Sequence, residues 1–294
     1  MNSRIQFICV AMRPKHWVKN LLVFALPLSD GLIIGSNFDV NSISRAFIIF
    51  LSLSFMASAN YIVNDINDVG EDRKHPVKKF RPFAAGHLSS RTGFCIAFLL
   101  IVFSLGFSLL VENLQTTVLI GFFGILQFLY TLILKRLSGY DLVALSTLYV
   151  YRAVLPASYE QIDLSKWFLV IFFAGALFLA SGKRYAEFCH TGHDVGTRKV
   201  LSNYTELQLA IWIAVSLALL ITSYLNWIFT FPSSINFMFI IVSLIPVCIL
   251  LIRISFLTMS KSGEDPTKIL FRQKDNLVLF GIWLILYLFA KGYL

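Results

Sequence analysis

Long apolar runs recur from near the beginning of the chain to its end. A hydrocarbon core of about 30 Å is crossed by roughly 20 mostly apolar residues in a helix. These runs lack the alternation of polar and apolar positions that membrane barrels show. We therefore predict an all-α, polytopic membrane protein. The predicted spans are Leu21–Ile34, Ala46–Val63, Thr92–Val111, Thr116–Leu134, Leu142–Ala157, Trp167–Ser181, Leu207–Leu225, Ile235–Ile254 and Leu277–Phe289, nine in all.

Composition supports this class. Hydrophobic residues make up 57% of the 294 residues and charged residues only 14%, against about 25% charged in an average soluble domain. A net charge of +9 could suggest nucleic acid, but in a membrane protein the positions of Lys and Arg report topology first. We predict no nucleic-acid partner. Because no linker rich in Pro, Gly or Ser divides the chain, one integral membrane domain over 1–294 is expected.

The 25 Lys and Arg residues are distributed unevenly between the two predicted faces. The amino terminus and the loops after even-numbered spans carry 21 of them, the opposite face has Arg45, Lys166 and Lys291, and Arg152 lies within a span. By the positive-inside rule, the amino terminus and the even-numbered loops are cytoplasmic and the carboxyl terminus is outside.

The loop after the second span has an unusual order of charges. Asn64, Asp65, Asp68 and Asp72 come first, and a basic run over 73–81 follows. If the helix of this span continues, Asn64, Asp68 and Asp72 lie on one face, with Asp65 one step round. A cation would relieve the repulsion, and hard oxygens suit Mg²⁺ held partly by substrate phosphate. The alternative is a solvated turn whose bases only signal topology.

The same residues resemble a known family. The pattern Asn64-Asp65-x-x-Asp68-x-x-x-Asp72 is similar to the first aspartate-rich motif of the UbiA superfamily of intramembrane prenyltransferases, and His75-Pro76, Arg81-Pro82 and Gly86 also fit. The resemblance implies nine transmembrane helices in a bundle around a central cavity. It also implies that the motif chelates Mg²⁺ bound to a diphosphate.

Three further stretches resemble one branch of that superfamily, the decaprenyl-phosphate phosphoribosyltransferases. They are residues 13–20, residues 182–187 and Arg198-x-x-Leu201-x-x-Tyr204. Enzymes that ionise a prenyl diphosphate have a second acidic cluster after span 6, and this chain has no DxxxD there. Instead Lys183, Arg184, Arg198 and Lys199 surround Glu187, Asp194 and Glu206. That balance suits another phosphate group, unless the bases merely anchor the loop inside.

The resemblance implies transfer of 5-phosphoribosyl from phosphoribosyl pyrophosphate to a polyprenyl phosphate lipid, with release of pyrophosphate. The setting would be the bacterial cytoplasmic membrane, and the product a lipid-linked pentose for cell-envelope polysaccharide. Mg²⁺ held by Asn64, Asp68 and Asp72 would neutralise charge on the departing pyrophosphate, so that Asp68 and Asp72 count as catalytic. Asp65 would stabilise oxocarbenium character at the ribose carbon, or would bind the metal or orient its water ligands.

Phosphate oxygens need donors as well as metal. Lys19, Lys78 and Arg81 lie on the predicted cytoplasmic face and are expected to hold them. The expected substrate-binding set is completed by Asn64, Lys183, Arg184, Glu187, Arg198 and Tyr204. Arg152 is predicted to face away from lipid, either as a structural contact or at an acceptor phosphate.

Two other functions remain open. One is a UbiA-type prenyltransferase that uses a prenyl diphosphate and an aromatic or other acceptor. The other is a non-enzymatic lipid carrier or transporter, although a transporter would place its polar site near mid-membrane. The sequence leaves the polyprenyl length and any homo-oligomer undetermined.

Overall fold

The structure, a computed structural model, describes residues 2–33, 38–160, 162, 164–191, 200–230, 235–259, 269 and 273–292. Every regular element among them is a helix, so the predicted all-α class is confirmed. Within the described part of the chain, six helices are long and apolar enough to cross a membrane, as expected of an integral membrane protein. They are Val40–Asn67, Ser90–Leu109, Leu114–Arg136, Lys166–Cys189, Glu206–Ile228 and Phe237–Met259.

The predicted count of nine spans is not confirmed. The first predicted span is a 3₁₀ helix over Pro14–Phe24 followed by a five-residue α-helix, Ala25–Ser29. The fifth is a helix of only 15 residues, Tyr140–Val154. The last is Lys274–Lys291, in which three charged residues lie among 18. An apolar window does not specify helix type or length, which explains the difference.

The chain divides into two compact units. Unit 1 comprises residues 1–33, 39–135 and 151–163, and unit 2 comprises residues 34–38, 136–150 and 164–294. The prediction of a single domain over 1–294 stays a prediction. The α-helices of unit 1 are α1 (Asn2–Met12), α2 (Ala25–Ser29), α3 (Val40–Asn67), α4 (Val69–Asp72), α5 (Ser90–Leu109), α6 (Leu114–Leu132) and α8 (Ala157–Glu160).

Helix α3 is the central helix of unit 1, and small side chains let its neighbours approach closely. Ser52, Ser54 and Ser58 on this helix are all buried. The Ser52 carbonyl accepts from Ser104 Oγ of α5 at 2.7 Å, and Ser58 Oγ accepts from Trp17 Nε1 at 3.0 Å. Small residues and hydroxyls are typical of packed membrane helices, because hydrogen bonds there replace those that water would supply.

Side-chain caps fix where the unit 1 helices begin. The Ser89 hydroxyl accepts from Thr92 N at the start of α5, and the Asn113 side chain accepts from Thr116 N at the start of α6. Each cap satisfies an N–H group that has no partner inside the helix. As a result, the starts of α5 and α6 are fixed, and the loop that follows the acidic motif ends at Ser89.

Unit 2 contains most of α7 (Tyr140–Val154) and the helices α9 (Lys166–Thr191), α10 (Glu206–Ile228), α11 (Ile235–Val242), α12 (Leu244–Met259) and α13 (Lys274–Lys291). Its core includes Leu142, Phe178, Leu209 and Ile254. Helix α10 begins with a capping box between Thr205 and Gln208. That box fixes the start of α10, immediately after Tyr204.

Candidate active site

The acidic motif lies at a break in the helix. Helix α3 ends at Asn67, Asp68 has φ −91° and ψ 4°, and the four-residue α4 follows. Backbone hydrogen bonds continue across the break, from Asp68 N to Asn64 O and from Asp72 N to Asp68 O. The helix of the second predicted span therefore does not continue as one regular α-helix, and Asp72 does not join Asn64 and Asp68 in one side-chain cluster. Side-chain contacts divide the four polar residues into two pairs, Asn64 with Asp68 and Asp65 with Asp72.

The first pair is Asn64 and Asp68, which converge on the ammonium group of Lys135. Lys135 Nζ lies 2.8 Å from Asn64 Oδ1 and 3.4 and 3.3 Å from the two carboxylate oxygens of Asp68. Asn64 Nδ2 also donates to Asp68 Oδ2 at 3.0 Å. Three oxygens from the end of α3 thus surround one positive charge.

The second pair is Asp65 and Asp72, whose side chains are only 2% and 4% exposed. Arg81 Nη1 bridges them, at 3.2 Å from Asp65 Oδ1 and 2.8 Å from Asp72 Oδ2. Arg13 Nη2 donates to the same Asp65 oxygen at 2.6 Å. Buried carboxylates are tolerated only with such compensation, because removal from water is costly for a charge.

The backbone of Arg13 is unusual. Its φ of 54° and ψ of 57° are left-handed, a conformation that costs an L-residue other than glycine about 1–2 kcal/mol. Its guanidinium also lies 5.3 Å from the centroid of the Tyr61 ring. Such strain persists only where surrounding contacts hold it, and here the ion pair with Asp65 is one of them.

The donor set of the first pair fits a magnesium ion. Mg²⁺ prefers oxygen ligands and retains several waters, so that one or two protein side chains suffice alongside a phosphate. Asn64 Oδ1 and Asp68 already converge on a cation, the Lys135 ammonium. Asp72, predicted as a third ligand, is instead paired with Arg81. Among the residues that the structure describes, no three His, Cys, Asp or Glu side chains gather for a metal ion.

Unit 2 contains a basic site of its own. Arg184 on α9 is 2% exposed, and its Nε donates to Asp141 Oδ2 at 2.9 Å. Its Nη1 donates to Glu187 Oε2 at 3.0 Å. The two carboxylates contact different nitrogens of one guanidinium and so fix its plane. The structure therefore brings together the predicted residues Arg184 and Glu187.

Tyr204 lies at the same site, but its hydroxyl contacts protein on both sides. It donates to Asp141 Oδ1 at 2.5 Å and accepts from the Gly139 N–H at 2.6 Å. Burial, followed by the hydrogen bond to Asp141, raises the pKa of Tyr204 well above its usual value of about 10. The phenol therefore stays protonated and keeps donating at neutral pH.

Three other residues predicted to bind substrate are Lys19, Lys78 and Lys183. Lys19 lies in the 3₁₀ segment, Lys78 begins a one-turn 3₁₀ helix, and Lys183 precedes Arg184 on α9; all three are half-buried. Arg198 lies outside the described residues. Arg152 is buried in unit 1, where its Nε donates to Asn20 Oδ1 at 2.9 Å.

Three site residues were not assigned from the sequence. Lys135 and Asp141 each contact residues that are 43 to 71 positions away, and Arg13 contacts Asp65 across 52 positions. The sequence contained a signal for two of them, Lys135 and Asp141. Lys135 directly follows an apolar span, and Asp141 opens the next one. Either position is costly for a charge without a partner.

Comparison with known proteins agrees with these features. Residues 22–286 match the UbiA prenyltransferase family. The chain is 35% identical to decaprenyl-phosphate phosphoribosyltransferase from Corynebacterium glutamicum, over 93% of this chain and 83% of that protein. It is also 35% identical to the enzyme of that name from Mycobacterium tuberculosis strain H37Rv, over 93% of this chain and 90% of the relative.

Solved structures show the same fold. A UbiA homologue from Archaeoglobus fulgidus, determined with DMAPP and Mg²⁺, superposes with a TM-score of 0.68 at 16% identity, over 97% of this chain and 98% of that one. The same homologue with GPP and Mg²⁺ gives a TM-score of 0.67 at 15% identity, over 98% and 99%. At these identities the likeness establishes the fold alone. Together with the match over 22–286, it shows that this chain belongs to the UbiA prenyltransferase family.

Proposed function

We propose that this protein transfers a 5-phosphoribosyl group from phosphoribosyl pyrophosphate to a polyprenyl phosphate. The observation that carries the proposal is the chemistry of the Arg184 site. There a buried guanidinium is held in place by Asp141 and Glu187, and the sequence has no DxxxD motif after the sixth predicted span. Relatives at 35% identity that bear the name of this activity support it.

In the proposed reaction, a phosphate oxygen of the lipid attacks C1 of the ribose. The new C1–O bond forms, and the bond from C1 to pyrophosphate breaks with its electron pair leaving on pyrophosphate. No general base is required, because a phosphate monoester has its second pKa near 6 and is mostly a dianion at pH 7. The protein must therefore stabilise the leaving group and the developing positive charge on the ribose.

The diphosphate end is assigned to the acidic motif. Asn64 and Asp68 would hold Mg²⁺, which when bound supplies positive charge to the departing pyrophosphate. Asp72 could join them only by giving up its contact with Arg81. Three further cationic groups lie in unit 1, with Lys135 at Asp68 and both Arg81 and Arg13 at Asp65. These cations suit a donor that arrives with several negative charges.

Asp65 is the proposed electrostatic stabiliser of the ribose carbon. Its carboxylate is fixed by two guanidinium groups, so its position does not need to reorganise during the reaction. A preorganised negative charge favours a carbon that develops oxocarbenium character. Asp65 thus acts on C1, whereas Asn64 and Asp68 act on the leaving group.

The 5-phosphate of the donor and the phosphate of the lipid acceptor are assigned to basic residues. Arg184, with Lys183 beside it and Glu187 orienting it, would take the 5-phosphate of the donor, because a planar guanidinium binds phosphate through paired N–H groups. Arg198 is assigned to the same phosphate. Lys19 and Lys78 would hold the acceptor phosphate as point charges.

The proposed setting follows from the distribution of Lys and Arg. With 21 of 25 on one predicted face, the amino terminus and the site loops would be cytoplasmic and the carboxyl terminus outside. Phosphoribosyl pyrophosphate is water-soluble, and polyprenyl phosphate is held in the bilayer. The product would be a lipid-linked pentose phosphate available for cell-envelope polysaccharide synthesis.

The test is transfer of label into lipid. Purified protein in detergent would receive polyprenyl phosphate, Mg²⁺ and phosphoribosyl pyrophosphate labelled in the ribose, with prenyl diphosphate and 4-hydroxybenzoate in a parallel reaction. We expect label in the organic extract. Asp68→Asn should reduce it at least 100-fold, whereas Asp275→Asn, a change at a largely exposed carboxylate, should not. A prenylated aromatic without labelled lipid would instead support prenyl transfer.

A further inference from the structure

Asp141 is the centre of a buried hydrogen-bond network that the transfer chemistry does not itself use. It is fully buried at the start of α7, and its two oxygens accept from different partners, Arg184 Nε and the Tyr204 hydroxyl. Arg184 and Tyr204 are each only 2% exposed. A buried carboxylate in this position requires full compensation, and two strong donors provide it.

The network continues to the backbone at Gly139. The Gly139 N–H donates to the Tyr204 oxygen, which fixes the direction in which the phenol can donate in turn. Gly139 has φ +80°, a left-handed conformation that favours glycine, and this conformation directs its N–H toward the tyrosine. The chain of contacts therefore runs from Gly139 through Tyr204 and Asp141 to Arg184.

Each hydrogen bond in this chain of contacts limits the orientation of the next group. The guanidinium is planar with five N–H donors, so a contact at Nε together with one at Nη1 determines the plane of the whole group. Recognition of phosphate by such a group depends on that orientation. An arginine that is already ordered also loses less conformational entropy when a ligand binds.

We propose that Asp141 and Tyr204 are positioning residues that orient Arg184 for the phosphate group of the donor. This inference rests on the proposed function. It gives Tyr204 a different role from direct contact with substrate, because both sides of its hydroxyl are already occupied by protein. The competing interpretation is that the network only holds α7, α9 and the segment before α10 together. That would affect stability but not donor affinity.

Tyr204→Phe is the sharpest variant, since it removes one oxygen atom and keeps the ring. We expect the KM for phosphoribosyl pyrophosphate to rise three- to tenfold, while kcat and the KM for polyprenyl phosphate stay within twofold. Tyr224→Phe is the matched control. That hydroxyl is similarly buried in unit 2, where it contacts Ser243 and accepts from Trp283 Nε1. It should leave all three constants unchanged.

A double-mutant cycle tests whether Tyr204 acts through Arg184. In an Arg184→Lys background, which cannot offer the planar fork, Tyr204→Phe should have no further effect on the donor KM. Additive effects would overturn the inference, as would a donor KM in Tyr204→Phe equal to wild type. Wild-type protein that neither binds phosphoribosyl pyrophosphate nor transfers the label would overturn the proposed function itself. Wild-type activity therefore distinguishes the two failures.

Discussion

Arg81 donates from one nitrogen to Asp72 at 2.8 Å, and through this contact it ties the end of α4 to the basic part of the same loop. The same nitrogen lies 3.2 Å from Asp65. One arginine thus holds two buried carboxylates that lie on opposite sides of the helix break. Acids followed by bases within a single loop are folded back on each other, which explains the order of charges in the sequence.

Removal of Arg81 should destabilise unit 1. Arg81→Ala leaves Asp72 buried without this partner and Asp65 with Arg13 alone. We expect a loss of roughly 2–3 kcal/mol, below the usual range for a buried pair because the Arg81 side chain is 25% exposed. Thermal unfolding in detergent measures it. Arg91→Ala, an exposed arginine at the start of α5, is the control and should change little.

Lys135 should compete with a divalent ion for Asn64 and Asp68. Lys135→Met removes the ammonium from those oxygens, so Mn²⁺ used as a probe should bind about three- to tenfold more tightly, or roughly 0.6–1.4 kcal/mol. Electron paramagnetic resonance of free Mn²⁺ measures this without substrate. Adding Asp68→Asn to the same protein should reverse the gain. Unchanged Mn²⁺ affinity in Lys135→Met would argue against a cation site at this pair.

Arg13 allows strain and charge to be separated. Arg13→Ala and Arg13→Gly both remove the ion pair with Asp65, but only glycine tolerates the φ of 54° without cost. The glycine variant should therefore be more stable than the alanine variant by about 1 kcal/mol. The measurement is the difference between their unfolding midpoints. Equal stability would mean that the segment relaxes when the guanidinium is lost.

Substitution of Gly93 on α5 should disturb its close packing against Ile66 and Phe83. A Cβ there would lie 2.6 Å from Ile66 Cδ1 and from the Phe83 ring, so Gly93→Ala should cost about 1–3 kcal/mol. Gly106→Ala on the same helix meets no atom within 4 Å and should be neutral or stabilising by up to about 1 kcal/mol. Comparison of the two unfolding curves tests the packing of α5 against α3.

The stabilising contribution of Tyr204 should depend on pH in one direction. Because its pKa is raised, the folded state favours the neutral phenol. The stabilisation is fully present below pH 10 and decreases as pH rises through the higher native pKa. The difference in the free energy of unfolding between wild type and Tyr204→Phe should therefore be constant from pH 7 to 9. A decline within that interval would contradict the assignment.

The apolar pattern was sufficient to predict where most long helices lie. The span predicted over Thr92–Val111 is the helix Ser90–Leu109, and the span predicted over Leu207–Leu225 is the helix Glu206–Ile228. It could not predict the 3₁₀ helix over Pro14–Phe24, because apolar side chains fit either helix type. The acidic residues were recognised, yet their helix break at Asp68 depends on local backbone geometry that spacing does not show.

Contacts between residues far apart along the chain could not be predicted from the sequence, for a different reason. Lys135 meets Asp68 only after α3 and α6 have packed together, and Asp141 meets Arg184 only after α7 and α9 have. The charge of these residues indicates that each requires a partner, but it does not indicate which residue that partner is. The resemblance of short motifs predicted the family, which the match over residues 22–286 confirms.

The most direct test of the central claim follows two labels in one donor molecule. Phosphoribosyl pyrophosphate carrying ¹⁴C in the ribose and ³²P in the β-phosphate would be incubated with polyprenyl phosphate, Mg²⁺ and the purified protein. Cleavage at C1 predicts ¹⁴C in the extracted lipid and ³²P only in aqueous pyrophosphate. Appearance of ³²P in the lipid, or absence of both labels from the lipid with active prenylation of 4-hydroxybenzoate, would contradict phosphoribosyl transfer.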